Sequence, residues 1–121
     1  MGYSEIYLKH FQAPQNVGEL EEPRVLAEVE HQGGGCFDRL RVTLRVEDGI
    51  VQNAMFKARA CSGTIAASSA ATEWAKGKSL AEVGAITADT LDEYLGGVPE
   101  RKRHSIELAA EAMQKAVSEM E

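Results

Sequence analysis

Apolar positions recur in two rhythms along this chain, and the change of rhythm divides it into helices and strands. Between Ser4 and Phe11 the residues Tyr7, Leu8 and Phe11 fall at helical spacing, and Pro14, Asn16 and Gly18 then end the segment. The period drops to two where Val25, Ala27 and Val29 alternate with Leu26, Glu28 and Glu30. It stays there as Leu40, Val42, Leu44 and Val46 alternate with Arg39, Arg41, Thr43 and Arg45, and again as Ala54, Phe56 and Ala58 alternate with Met55, Lys57 and Arg59. Asp48-Gly49 separates the last two runs, a pair that favours the tight turn of a hairpin. Three antiparallel strands, covered on one face, are expected.

The helical period returns from Thr64 to Lys76, a stretch rich in Ala and Ser that stops at Gly77. Its small side chains predict close packing on the sheet. Ser79 and Glu82 have capping-box spacing, and Thr87 or Asp89 opens a further short helix that reaches Tyr94 before Gly96-Gly97. In the last segment Ile106, Ala109, Met113, Ala116, Val117 and Met120 make one apolar stripe, with Glu111 and Lys115 paired on another face. No repeat and no linker divides the chain. Residues 1–121 are read as one α+β domain, a three-stranded antiparallel sheet with helices packed against it.

Charge narrows the function classes. The 121 residues carry 13 Lys+Arg against 19 Asp+Glu, a net charge of -6, which weighs against nucleic acid as the partner. No run of apolar residues is long enough to span a membrane. Met1-Gly2-Tyr3-Ser4-Glu5 has neither the basic start nor the apolar stretch of a secretory signal, so a cytoplasmic chain is expected. In that reducing compartment two cysteines read as thiols or metal ligands before a disulfide.

Those cysteines sit at suggestive places. Gly33-Gly34-Gly35-Cys36-Phe37-Asp38 lies between two strands, and in an extended chain Cys36 and Asp38 share a face, which makes half of a metal site. Cys61 ends the third strand and directly precedes the Ala/Ser helix, whose positive end lowers a thiol pKa. On the residues alone the plainer reading stays open: a small buried Cys and a turn-forming Gly run. His104, after Arg101-Lys102-Arg103, reads by itself as a solvated residue at the start of the final helix. His10 and His31 have no ligand partner close in sequence and read as structural or surface residues. Ser68-Ser69 lies inside a helix with no local base, so small packing residues are expected there and not a nucleophile. Trp74 and Tyr94 read as core or lid.

Taken together, these segments resemble the IscU/NifU-type iron–sulfur cluster assembly scaffold family, from Tyr3 to Ala116. Tyr3-Ser4-Glu5, His10-Phe11, Pro14 and Asn16-Val17-Gly18 resemble the family's opening. Cys36-Phe37-Asp38 resembles its Cys-Gly-Asp, and Phe56-Lys57 leading to Cys61 resembles its Gly-Cys segment. The longest match runs from Ile65-Ala66 to Leu80 through Ser68-Ser69, Thr72-Glu73-Trp74 and Lys76-Gly77-Lys78-Ser79.

The resemblance implies a SufE/NifU-like fold and a non-enzymatic scaffold or carrier. On it, iron and sulfide supplied by a cysteine desulfurase become a [2Fe–2S] cluster that is passed to apo-proteins. The family's ligands map to Cys36, Asp38, Cys61 and His104, and its third cysteine maps to Ser105, so this chain resembles a variant lacking the third thiol. A hydroxyl is a poor ligand near neutral pH and cannot carry a persulfide, which leaves Cys36 or Cys61 to accept sulfur. The family's Leu-Pro-Pro-Val-Lys, read by an Hsp70-type chaperone, is replaced by Val98-Pro99-Glu100-Arg101-Lys102, which weighs against chaperone-assisted release. The same four donors also suit one tetrahedral zinc. Two alternatives follow: a zinc-bound sulfur-transfer partner of a desulfurase with Cys61 as acceptor, and a diverged paralogue kept as a binding or regulatory module.

Overall fold

Alternation at period two yields strands β1 (Val25–Gly33), β2 (Cys36–Glu47) and β3 (Ile50–Arg59), in the order β1-β2-β3 with both pairings antiparallel. The computed structural model describes the backbone of residues 4–18, 25–33, 36–59 and 62–120, and the side chains of these except 25–38, 62, 101 and 120. Asp48 and Gly49 join β2 to β3 with φ of 54° and 74°, the left-handed pair that a type I′ turn requires. A register shift between Arg45 and Val46 leaves Gln52 as an extra residue, a bulge that bends the hairpin beside its turn.

One face of the sheet is dry. Leu40, Val42, Leu44, Val51, Ala54 and Phe56 are buried there, while Arg39, Lys57 and Arg59 on the other face are exposed. Truncating Phe56 to Ala would cost about 3–5 kcal/mol, the usual loss for a fully buried aromatic.

Among the described residues, five α-helices complete the α+β architecture: α1 (Glu5–Gln12), α2 (Ser62–Ala75), α3 (Leu80–Gly84), α4 (Ala88–Tyr94) and α5 (Arg103–Met120), the last preceded by a 3₁₀ turn at Glu100–Lys102. Ser4 caps α1, its Oγ accepting from the Tyr7 N–H at 3.0 Å, and donates to the Leu95 carbonyl just past α4. Ala66, Ala67, Ala70, Ala71 and Ala75 are buried on α2, so small side chains do let this helix pack close. Gly77, at φ 85°, follows α2 in the left-handed conformation. Ser79 with Glu82, and Thr87 with Thr90, form capping boxes at the starts of α3 and α4.

The single apolar stripe expected on α5 is too narrow. Leu108, Ala110 and Ala112 are buried as well, because α5 lies between the sheet and α2, α3 and α4 and is covered on several sides. The outer edge of β3 is covered twice. Gly18 N–H donates to the Phe56 carbonyl and Phe56 N–H to the Asn16 carbonyl, while Lys78 accepts from Val51 N–H. Among the described residues no helix is long and apolar enough to cross a membrane.

Candidate functional site

Antiparallel pairing brings two of the candidate segments to one end of the sheet. Arg39 lies opposite Arg59, so the start of β2, with Cys36 opposite Gly33 and Asp38 opposite His31, adjoins the end of β3. Cys36 to Asp38 is continuous strand, the extended backbone that a shared face requires. Cys61 lies outside the described residues. On either side of it, β3 ends at Arg59 and α2 begins at Ser62.

The first turns of α2 and α5 meet at this end. A Cβ built on Gly63 would lie 3.3 Å from the Tyr7 hydroxyl, 3.4 Å from Lys102 Cδ and 3.7 Å from Ser105 Oγ. No side chain larger than a methyl fits that approach, which sets the position following Cys61 and Ser62 against the turn that carries His104. His104 is the second residue of α5 and is half-buried. Two helix N-termini converge here, and their partial positive charge favours thiolate over thiol.

Ser105 takes a different role from its neighbour. It is fully buried, and its hydroxyl donates to the Lys102 carbonyl at 2.5 Å, closing the turn before α5. Arg103 reaches back to Asp89 at 2.6 Å, which holds its guanidinium above the ordinary arginine range through that hydrogen bond. With Asp89 85% exposed, this pair orients the turn more than it stabilises the fold. Val98, half-buried against the core, is held by its N–H donating to Asp92 Oδ1 at 2.8 Å.

A second constellation, unforeseen from the sequence, joins α1, α2 and α4. Ser69 does have a base: His10 Nδ1 stands 2.7 Å from its Oγ, and His10 Nε2 stands 3.3 Å from Glu73 Oε1. Tyr94 donates to the same carboxylate oxygen at 2.5 Å. Burial, the Glu73 hydrogen bond and the Glu73 charge together push the Tyr94 phenol up to about 12. The Glu73 carboxylate favours a proton on Nε2, so Nδ1 accepts from the Ser69 hydroxyl, whose oxygen accepts the Gln15 N–H at 2.7 Å. Serine, imidazole and carboxylate are ordered as in a hydrolase, but Ser69 is 0% exposed and no substrate reaches it. The set is structural, as expected for both His10 and Ser69. Only the base was missed, because it comes from another helix.

Among the described residues no group of three or more His, Cys, Asp and Glu could hold a metal ion, so they offer no rival centre.

Known proteins resemble this chain along nearly its whole length. Residues 2–121 match the family described as the NifU-like N terminal domain. The iron–sulfur cluster assembly scaffold protein IscU 1 of Archaeoglobus fulgidus is 38% identical over 115 residues, which are 95% of this chain and 74% of that protein. The scaffold protein IscU of Haemophilus influenzae is 38% identical over 121 residues, 98% of this chain and 95% of its own. In fold, the crystal structure of a nitrogen-fixing NifU-like protein (N-terminal) from Brucella abortus superposes with a TM-score of 0.77 at 21% identity, covering 96% of this chain and 92% of that one.

Proposed function

The chain belongs to the NifU-like N-terminal domain family, and from that membership we propose that it is a non-catalytic scaffold on which an iron–sulfur cluster is assembled and then passed to apo-proteins. The meeting of the α2 and α5 first turns at Gly63 and Ser105 carries the reading, because it draws the flank of Cys61 to that of His104 beside the end of the sheet where β2 begins. In this reading Cys36 and Cys61 supply thiolates, His104 an imidazole and Asp38 a carboxylate. Four donors of this kind are enough for a [2Fe–2S] cluster. Ser105 is no donor, since its hydroxyl is buried and committed to Lys102.

Each residue has its own task. Cys61 precedes a helix N-terminus, so its thiolate is the favoured acceptor of sulfur from a cysteine desulfurase. It attacks the outer sulfur of the donor's persulfide, the donor's S–S bond breaks, and the donor cysteine leaves as a thiolate. Asp38 offers hard oxygen to iron that prefers thiolate, which loosens the cluster for transfer. Free thiols suit the reducing cytoplasm.

Anaerobic purification, followed by measurement of iron, zinc and acid-labile sulfide, tests the reading. Iron with equal sulfide after addition of desulfurase, cysteine and iron, lost in Cys36→Ala and in Cys61→Ala, is the expected result. Zinc with a desulfurase-dependent persulfide would replace it with sulfur transfer, and neither metal nor sulfur would remove the scaffold role.

A further inference from the structure

The open face of the sheet concentrates positive charge in an acidic protein. Arg39 lies opposite Arg59 and Arg41 opposite Lys57, and these four of the chain's 13 Lys and Arg line one shallow depression of about 160 Å³. Like charges directly opposite in an antiparallel pair destabilise it, so folding alone does not account for this placement. On β1 the register sets Glu30 against Arg39 and Glu28 against Arg41, so each row has one acid and two bases and the surplus falls on β3. There Lys57 and Arg59 are exposed, and neither makes an ion pair among the described residues. Both rows adjoin the Asp38 end of β2, and Arg59 is the last residue of β3 before Cys61.

From this surface we infer that the Arg39/Arg59 and Arg41/Lys57 rows dock the carboxylate-rich face of a partner protein beside the assembly site. The inference rests on the scaffold reading for its purpose and on the charge arrangement for its chemistry. Carboxylates match the planar guanidinium forks. A nucleic-acid backbone is the poorer occupant: tight binders neutralise about 6–10 phosphates, whereas these rows have a surplus of two positive charges on a chain of net -6.

The test follows amide shifts of the whole chain by NMR as a synthetic glutamate-rich helical peptide is added, with a single-stranded oligonucleotide of equal charge as comparator. The peptide should shift residues 39–41 and 57–59, and binding should weaken about tenfold or more in Lys57→Glu/Arg59→Glu but not in Lys9→Glu/Lys115→Glu, which changes the charge equally. The first variant should also melt a few degrees higher, because it puts carboxylates opposite Arg39 and Arg41. Equal weakening in both variants, equal binding of the oligonucleotide at this face, or a lower melting temperature would overturn the inference. Reconstitution with iron and inorganic sulfide separates the two readings. A cluster in both proteins without peptide binding defeats the docking face alone, and peptide binding without a cluster defeats the scaffold alone.

Discussion

Ser105 and Lys102 share a hydrogen bond at 2.5 Å in which a side chain closes the turn immediately before the helix that carries His104. A thiol at this position would donate far less well. Ser105→Cys should lose about 0.5–1.5 kcal/mol in chemical denaturation, the net worth of one hydrogen bond. In the proposed scaffold it should also add a third thiolate, so the reconstituted cluster becomes more reducing and longer-lived. Redox titration reads this directly: an unchanged potential would show that His104 and Ser105 do not set cluster electronics.

Asp38 is the hard ligand of the proposed set. Asp38→Ala should slow cluster transfer to an apo-ferredoxin several-fold and extend the cluster's lifetime in air, as followed in the visible spectrum. Faster transfer would contradict the role assigned to the carboxylate.

His10 links α1 to α2 through buried Ser69. His10→Ala should cost about 1–3 kcal/mol, because the Ser69 hydroxyl loses its acceptor inside the protein. Activity toward activated esters should be nil in the unaltered chain and in Ser69→Ala alike, since burial keeps substrate out.

Tyr94 makes stability depend on alkaline pH. Its phenol titrates near 10.0 when unfolded and at about 12 when folded, so the folded state holds the proton more tightly. The contribution is complete below the lower value and is lost as pH rises through that window. Phenolate absorbance against pH should show a component titrating at about 12, and Tyr94→Phe should remove both that component and the added alkaline loss.

Gly63 separates helix propensity from packing. Gly63→Ala should be nearly neutral, since a helix-favouring methyl meets the Tyr7 hydroxyl at 3.3 Å and the flexible Lys102 chain at 3.4 Å. Gly63→Leu should cost about 1–3 kcal/mol by thermal melting. It should impair reconstitution more than this loss of stability explains, because it parts the turns that flank Cys61 and His104.

Signals that act over a few residues were legible in the sequence. Asp48-Gly49, Gly77, and Ser79 with Glu82 each enforce a backbone conformation locally, and each appears where expected. The alternation of Leu40 to Val46 likewise names the dry face of β2, because a strand turns its side chains by a fixed half-turn. His10 meeting Ser69 was not legible. The two are 59 positions apart, and helical spacing says which face a residue takes but not which helix arrives there. For the same reason the breadth of burial on α5 was not legible: Leu108 and Ala112 are buried because the helix is packed by the sheet and by α2, α3 and α4. Of the candidate site, sequence and structure agree that His104 opens the final helix, whereas Cys36 and Asp38, read as lying between two strands, belong to β2, and the burial of Ser105 is visible only in the folded chain.

The order β1-β2-β3 carries a kinetic consequence. Each strand pairs with its neighbour in the chain, so the sheet closes over short connections and pays little loop entropy. The proposed donor set does not share that economy. Cys36 and Asp38 belong to the second strand, whereas His104 arrives only with the last helix. In the proposed scaffold a nascent chain can therefore form its hairpins before its donor set is complete, and tight cluster binding would report that the final helix has docked.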